Sequence, residues 1–143
     1  MSVDASTNPT GLNDLSALLR GLEPVRRPGE FVVVSTTNEN TLPALATVEE
    51  DEGTTLVLER HEADAFRLGH SGTFAWITLT VHSSLEAVGL TAAVSQALAE
   101  WAIPCNVLAG FHHDHLLVPS NRADEAIAAL RELSASAGTE DQG

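Results

Sequence analysis

Basic side chains are scarce in this chain. Seven lysines and arginines stand against 20 acidic residues among 143, for a formal net charge of -13. A nucleic-acid binder needs a basic face to neutralise phosphates, and an anionic membrane surface attracts cationic segments. Neither nucleic acid nor a membrane is therefore expected as a partner. Aromatic residues make up only 4% of the chain, with no tyrosine, while 43% of residues are apolar. A core can form, but it must be aliphatic. The single cysteine, Cys105, excludes an intrachain disulfide. With Ile103 and Val107 beside it, it reads as a core filler rather than a nucleophile. No apolar run approaches the roughly 20 residues of a membrane-spanning helix. The first seven residues lack the basic and apolar regions of a secretory leader. The expectation is a cytoplasmic protein whose acidity serves solubility.

Familiar catalytic signatures are absent as well. The chain has no G-x-S-x-G, no phosphate-binding loop of the G-x-x-x-x-G-K type and no G-x-G-x-x-G. Ser83 and Ser84 adjoin His82, but adjacent residues point in different directions and no orienting acid accompanies them. The S-x-x-E spacing of Ser83 and Glu86 is better explained as a capping box. No catalysis and no cofactor are expected.

What is present alternates between helix and strand patterns. Residues 1–10 are small and polar and read as a disordered start. Leu12, Leu15, Leu18 and Leu19 form one stripe of a short helix over 13–20, and Gly21 sits where a C-terminal glycine belongs. Pro24 and Pro28 bound an expected linker. The apolar run at 31–35 reads as a buried strand. Strands at 45–49 and 54–58 flank an Asp51-Glu52-Gly53 turn and make a hairpin. One or two helical turns follow at 62–68. Over 73–81, Ala75, Ile77, Leu79 and Val81 share one face of a strand, and Phe74, Trp76, Thr78 and Thr80 share the other. A helix is predicted from 85 to 101, stopped by Pro104. Strands at 105–109 and 114–118 enclose a turn at 110–113. A last helix runs from Ser120 or Asn121 to about Leu133, and 134–143 reads as a disordered tail. The second half is thus β-α-β-β-α, most of a βαββαβ unit, and the fold class is α+β. Its sheet lacks a final strand after Leu133. Either the first half supplies that strand or an edge stays open, and open edges favour a homo-oligomer.

Unusual polar residues gather at the strand ends. The run His112-His113-Asp114-His115 contains standard ligands for zinc or nickel. Strand alternation puts His112 and Asp114 on one side and His113 and His115 on the other, so no tight metal site is expected. Gly89 lies one turn into the predicted helix, where glycine costs about 1 kcal/mol relative to alanine. That cost suggests a close approach by a packing partner or a ligand. An amino acid would find its needs met here. The N–H groups of a helix opening at Ser83 favour a carboxylate. Asp114 offers a fixed anion for an ammonium or a basic side chain. Asn106 can donate or accept.

The stretch ITLTVHSSLEAVGLTAAVSQALAEWAIPCNVLAGFHHDHLLVP resembles the C-terminal part of bacterial proteins with two ACT-like units. The earlier LPALATVEEDEGTTLVLER resembles their first unit. These proteins are similar to the regulatory ACT pair of aspartate kinase and to the cytosolic arginine sensors of animals. The resemblance implies two ferredoxin-like ACT units packed side by side, here 11–70 and 71–133, that sense an amino acid at their interface without catalysis. In the arginine sensors, the Asp of a matching F-x-x-D-H-x-L-V-P stretch contacts the ligand, and that role carries over to Asp114. The loop at the helix start carries over to residues 82–89. The expected ligand set is His82, Ser83, Ser84, Val88, Gly89, Asn106 and Asp114, with an amino acid as partner. A metal-responsive regulator using the His-rich turn and a purely structural interaction protein are the alternatives.

Overall fold

Two short strand runs joined by turn residues build much of the first half of the fold. A computed structural model of the chain describes residues 11–37, 41–81 and 88–142. Helix α1 (Gly11–Arg20) leads into strand β1 (Pro24–Thr36), and β2 (Ala46–Glu50) and β3 (Gly53–Glu59) form the expected hairpin. Helix α2 (Arg60–Ala65), strand β4 (Phe74–Leu79) and helix α3 (Leu90–Glu100) follow. Strands β5 (Asn106–Ala109) and β6 (Asp114–Pro119) make a second hairpin, and helix α4 (Ala123–Gln142) comes last. The six strands form one sheet in the order β2-β3-β1-β4-β6-β5, and every pairing is antiparallel.

Strand β1 joins the two halves, and here the expected linker is corrected. Pro24 opens the strand, a position that needs no ladder donor. Residues 24–27 pair with β4, from Pro24 opposite Leu79 to Arg27 opposite Trp76. The register then slips, and pairing resumes at Phe31 opposite Phe74. Pro28, which has no N–H, and Gly29, at φ +104°, sit inside this bulge and bend the strand. Past it, residues 31–36 pair with β3. The first arm of β1 is thus the missing fourth strand of the C-terminal unit. The order β1-β4-β6-β5 is that of a ferredoxin-like sheet whose last strand comes from the other end of the chain.

Alternation assigns the two faces. Ala75, Ile77, Leu79, Leu116 and Val118 pack with Leu90, Val94, Leu98, Ala126 and Leu130 of α3 and α4, and with Leu19 of α1, in the main core. Val32, Val34, Leu56 and Leu58 point to the same side and pack on Ala63 of α2. Helices therefore cover one face. The opposite face carries Phe31, Val57, Trp76 and Leu117, each at most 5% exposed, with no helix over them among the described residues. Sheet curvature does the covering: Val48 of edge strand β2 and Leu108 of edge strand β5 line one cavity.

Two helix ends differ from expectation. The described α3 begins at Leu90, with Gly89 as its N-cap at φ +97°. Gly89 is thus a cap rather than an interior position, and the proposed start at Ser83 lies outside the described residues. Its far end is a Schellman motif, in which Ile103 N–H donates to Leu98 and Ala102 N–H to Ala99, with Ala102 at φ +57°. The Arg122 guanidinium donates to the carbonyls of Trp101 and Ala102 and completes the stop. Helix α4 continues through 134–142, which read as a tail, because Ala129, Leu130 and Ala137 keep one side buried and the Ser134 hydroxyl bonds the Arg20 carbonyl of α1.

Candidate functional site

Asp114 opens β6 at the end of the sheet where β4 finishes. It stands opposite Leu79 on one side and Ala109 on the other. The connection that leaves β4 toward α3 therefore starts beside it. Asp114 is half-buried, and no arginine or histidine lies within ion-pair distance of its carboxylate among the described residues. Since its cross-strand neighbour Leu79 belongs to the main core, Asp114 points to the helix-bearing side.

The other expected residues are divided by the fold. His82, Ser83 and Ser84 lie outside the described residues. Val88 is 87% exposed just before α3. At Gly89, a Cβ would come within 3.2 Å of Leu15 Cδ2 on α1, in a backbone conformation that side chains rarely adopt. Packing against α1 thus accounts for this glycine without a ligand. Asn106 is not with Asp114. It stands opposite Leu117, on the helix-free face, and lines the cavity there.

The histidine run separates as strand alternation requires. Asp114 faces Leu79 while His115 faces Thr78. The Trp76 indole N–H donates to His115 Nδ1 at 3.1 Å, and Thr78 Oγ1 lies 3.0 Å from the same nitrogen. Because indole only donates, Nδ1 is the acceptor and the proton of neutral His115 sits on Nε2. The imidazole also meets the Trp76 ring edge-on, with centroids 5.4 Å apart. This partnership was not read from the sequence, although Trp76, Thr78 and His115 fall on one face by alternation. His112 stacks edge-on against exposed Phe111. Among the described residues, no three His, Cys, Asp or Glu side chains gather as a metal site. Burial pushes the Cys105 thiol up to about 11, so it is not a thiolate at neutral pH.

His115 makes stability depend on pH. Burial holds it below the ordinary imidazole value of 6.5; the His113 charge acts the same way, Asp114 opposes, and Arg27 adds a smaller push downward. A lowered value means that the unfolded chain binds the proton more readily. Stability should therefore be full above pH 6.5 and fall as the pH drops below it toward the folded-state value. Urea midpoints measured between pH 5 and 8 check this, with Trp76→Phe and His115→Gln as variants. A slope in this window that survives His115→Gln would assign the effect elsewhere.

The match to known proteins follows this architecture. An ACT domain family model matches residues 10–75, and a second ACT domain model matches residues 73–132. No functionally curated protein matches the chain by sequence. A solved Vibrio cholerae protein of unknown function, described as a possible transport protein, is 42% identical over 87% of this chain and 99% of its own, with a TM-score of 0.79. An Agrobacterium tumefaciens protein shares the fold at 16% identity, covering 79% of this chain and 89% of its own, with a TM-score of 0.67. So does the regulatory subunit of aspartate kinase from Thermus thermophilus, at 8% identity, over 77% of this chain and 95% of its own, with a TM-score of 0.58. No described helix is long and apolar enough to cross a membrane. ACT domains are regulatory modules that bind small molecules, and this chain belongs to the ACT domain family, as a tandem pair of units.

Proposed function

We propose that the protein is a non-catalytic regulatory module that binds an amino acid where its two units meet, near the end of β4. The observation that carries this reading is Asp114: a half-buried carboxylate without a cationic partner among the described residues, fixed by two cross-strand neighbours beside the chain leaving β4. It suits an ammonium or guanidinium group. The free N–H groups that open α3 at Leu90 suit the ligand's carboxylate, favoured by the helix dipole. His82, Ser83 and Ser84, which lie outside the described residues, stay candidate ligand contacts in this reading. Asn106 has no part in this site, since it stands on the other face. In this reading the units join near residue 71, and copies of the chain associate through the open edges of β2 or β5.

The test is calorimetry against the amino acids that raise the melting temperature in a screen of all twenty. A ligand at 100 times its Kd should stabilise the fold by about 2.7 kcal/mol. Asp114→Ala is expected to weaken binding by about 1.5–3 kcal/mol, the value of a hydrogen bond to a charged group. Unchanged affinity in that variant would place the site elsewhere. Gly89→Leu is a poor probe, because the new side chain would meet Leu15 in a strained backbone conformation. No thermal shift at millimolar ligand would leave the purely structural alternative in place.

A further inference from the structure

The helix-free face holds a cavity of about 330 Å³, within the range of small-molecule sites. Its walls are almost all apolar and include Val33, Val48, Val57, Phe74, Leu108 and Leu117, while Asn106 contributes an amide. One row of residues crosses this face through four strands: Arg27 of β1, Trp76 of β4, Leu117 of β6 and Asn106 of β5. Arg27 ends the row. Its guanidinium lies over the Trp76 ring, 4.9 Å from the centroid, and 6.0 Å from that of Phe31. Neither ring lines the cavity, but both belong to the cluster that includes its lining residues Val57, Leu117, Phe74 and Leu108, so the cation and the cavity share one apolar cluster on one face.

Arg27 has no carboxylate partner among the described residues, although the chain carries 20 acidic side chains. The adjacent Arg26 does reach one, Asp124 on the helix-bearing side. An apolar cavity with a ring-stacked guanidinium on the same face, unpaired among the described residues, is complementary to an amphipathic anion. Arginine suits this role because it can rest on an aromatic face and still present its N–H fork to a carboxylate.

We propose that this face is a second ligand site, for an apolar monocarboxylic acid whose hydrocarbon body fills the cavity and whose carboxylate pairs with Arg27. It is separate from the site at Asp114, which points to the opposite side of the sheet, and does not depend on it. A zwitterion fits this face poorly, since no acidic side chain among the described residues lines the cavity to receive an ammonium.

Octanoate serves as the probe and octanol as its uncharged counterpart, both followed by calorimetry on the full chain. The expected result is one octanoate bound per chain, with affinity lowered at least tenfold by Arg27→Gln, the loss of one charge-assisted hydrogen bond. Octanol binding should be unaffected by that change. Val48→Trp, at an exposed edge position that can plug the cavity without disturbing the core, should abolish binding of both. An Arg27→Gln variant that binds octanoate like the wild type would overturn the carboxylate assignment. Absence of octanoate binding at millimolar concentration would overturn the site. Each variant's melting curve, compared with wild type, separates lost binding from lost fold. Failure of octanoate with retained amino-acid binding would leave the reading of Asp114 standing.

Discussion

Phe31→Ala is expected to lower the unfolding free energy by about 3–5 kcal/mol, the cost of emptying an aromatic site in a packed core. Phe31 is 1% exposed and lies where β1 passes from one half of the sheet to the other. It stands opposite Glu59 of β3 and Phe74 of β4, and its ring meets Trp76 edge-on with centroids 5.5 Å apart. With no described helix above this cluster to sink into the void, the lining cannot collapse without changing the curvature of the sheet. The melting temperature should drop by about 10 °C or more. Val33→Ala is the control. Val33 points to the same face from the same strand but is 40% exposed, so its loss should cost about 1 kcal/mol or less. Urea unfolding of both variants checks the pair. Equal losses at the two positions would contradict the burial pattern on this face.

Residues 71–143 made alone are expected not to fold cooperatively. By length they could pass for one ACT unit, yet they lack the arm of β1 that covers the edge of β4. They also lack Leu19 and Leu22, 8% and 4% exposed in the whole chain, which α1 and its following turn insert against α4. Each buried leucine contributes about 1.5–3 kcal/mol, and the net stability of a domain is only about 5–15 kcal/mol. Circular dichroism during urea titration should show a broad, non-cooperative loss of structure. Adding residues 1–70 as a separate chain should restore a sigmoidal transition. A sharp transition in 71–143 alone would be incompatible with a unit completed from the other end of the sequence.

Much of this architecture could be read from hydrophobic pattern. The run at 31–35, both hairpins and the two faces of β4 appear where alternation placed them, because a strand with one face in a core must keep its period of two. Even the need for a borrowed strand was visible in the lack of one after Leu133. Its identity was hidden by Pro24 and Pro28. Proline signals a break, but the first residue of a strand and the inside of a bulge are the two places where a sheet tolerates it. The start of α3 was misplaced for a related reason. Ser83 and Glu86 have capping-box spacing, while the described helix is set by Gly89, whose positive φ only its fold position reveals. The place of Asp114 at the start of a strand was legible, because a carboxylate there is chemically conspicuous. Asn106 was grouped with it because its amide can donate or accept, and register puts the two on opposite faces. Trp76 with His115, and Arg27 above Trp76, are cross-strand relations that need the pairing of β1, β4 and β6 to be known first.

The double duty of β1 also sets an order of events during synthesis. Its first arm leaves the ribosome early, but its partner β4 follows only about fifty residues later, and β6 and α4 later still. The hairpin of β2 and β3 can close on the second arm at once, since those contacts are near in sequence. Until β4 arrives, the arm at 24–27 must wait unpaired with its backbone groups open to water. Pairings of such long range are slow because loop closure comes before any contact rewards it. Two prolines and a glycine in and beside the waiting segment make it a poor template for a neighbouring chain, which limits wrong pairing during that interval.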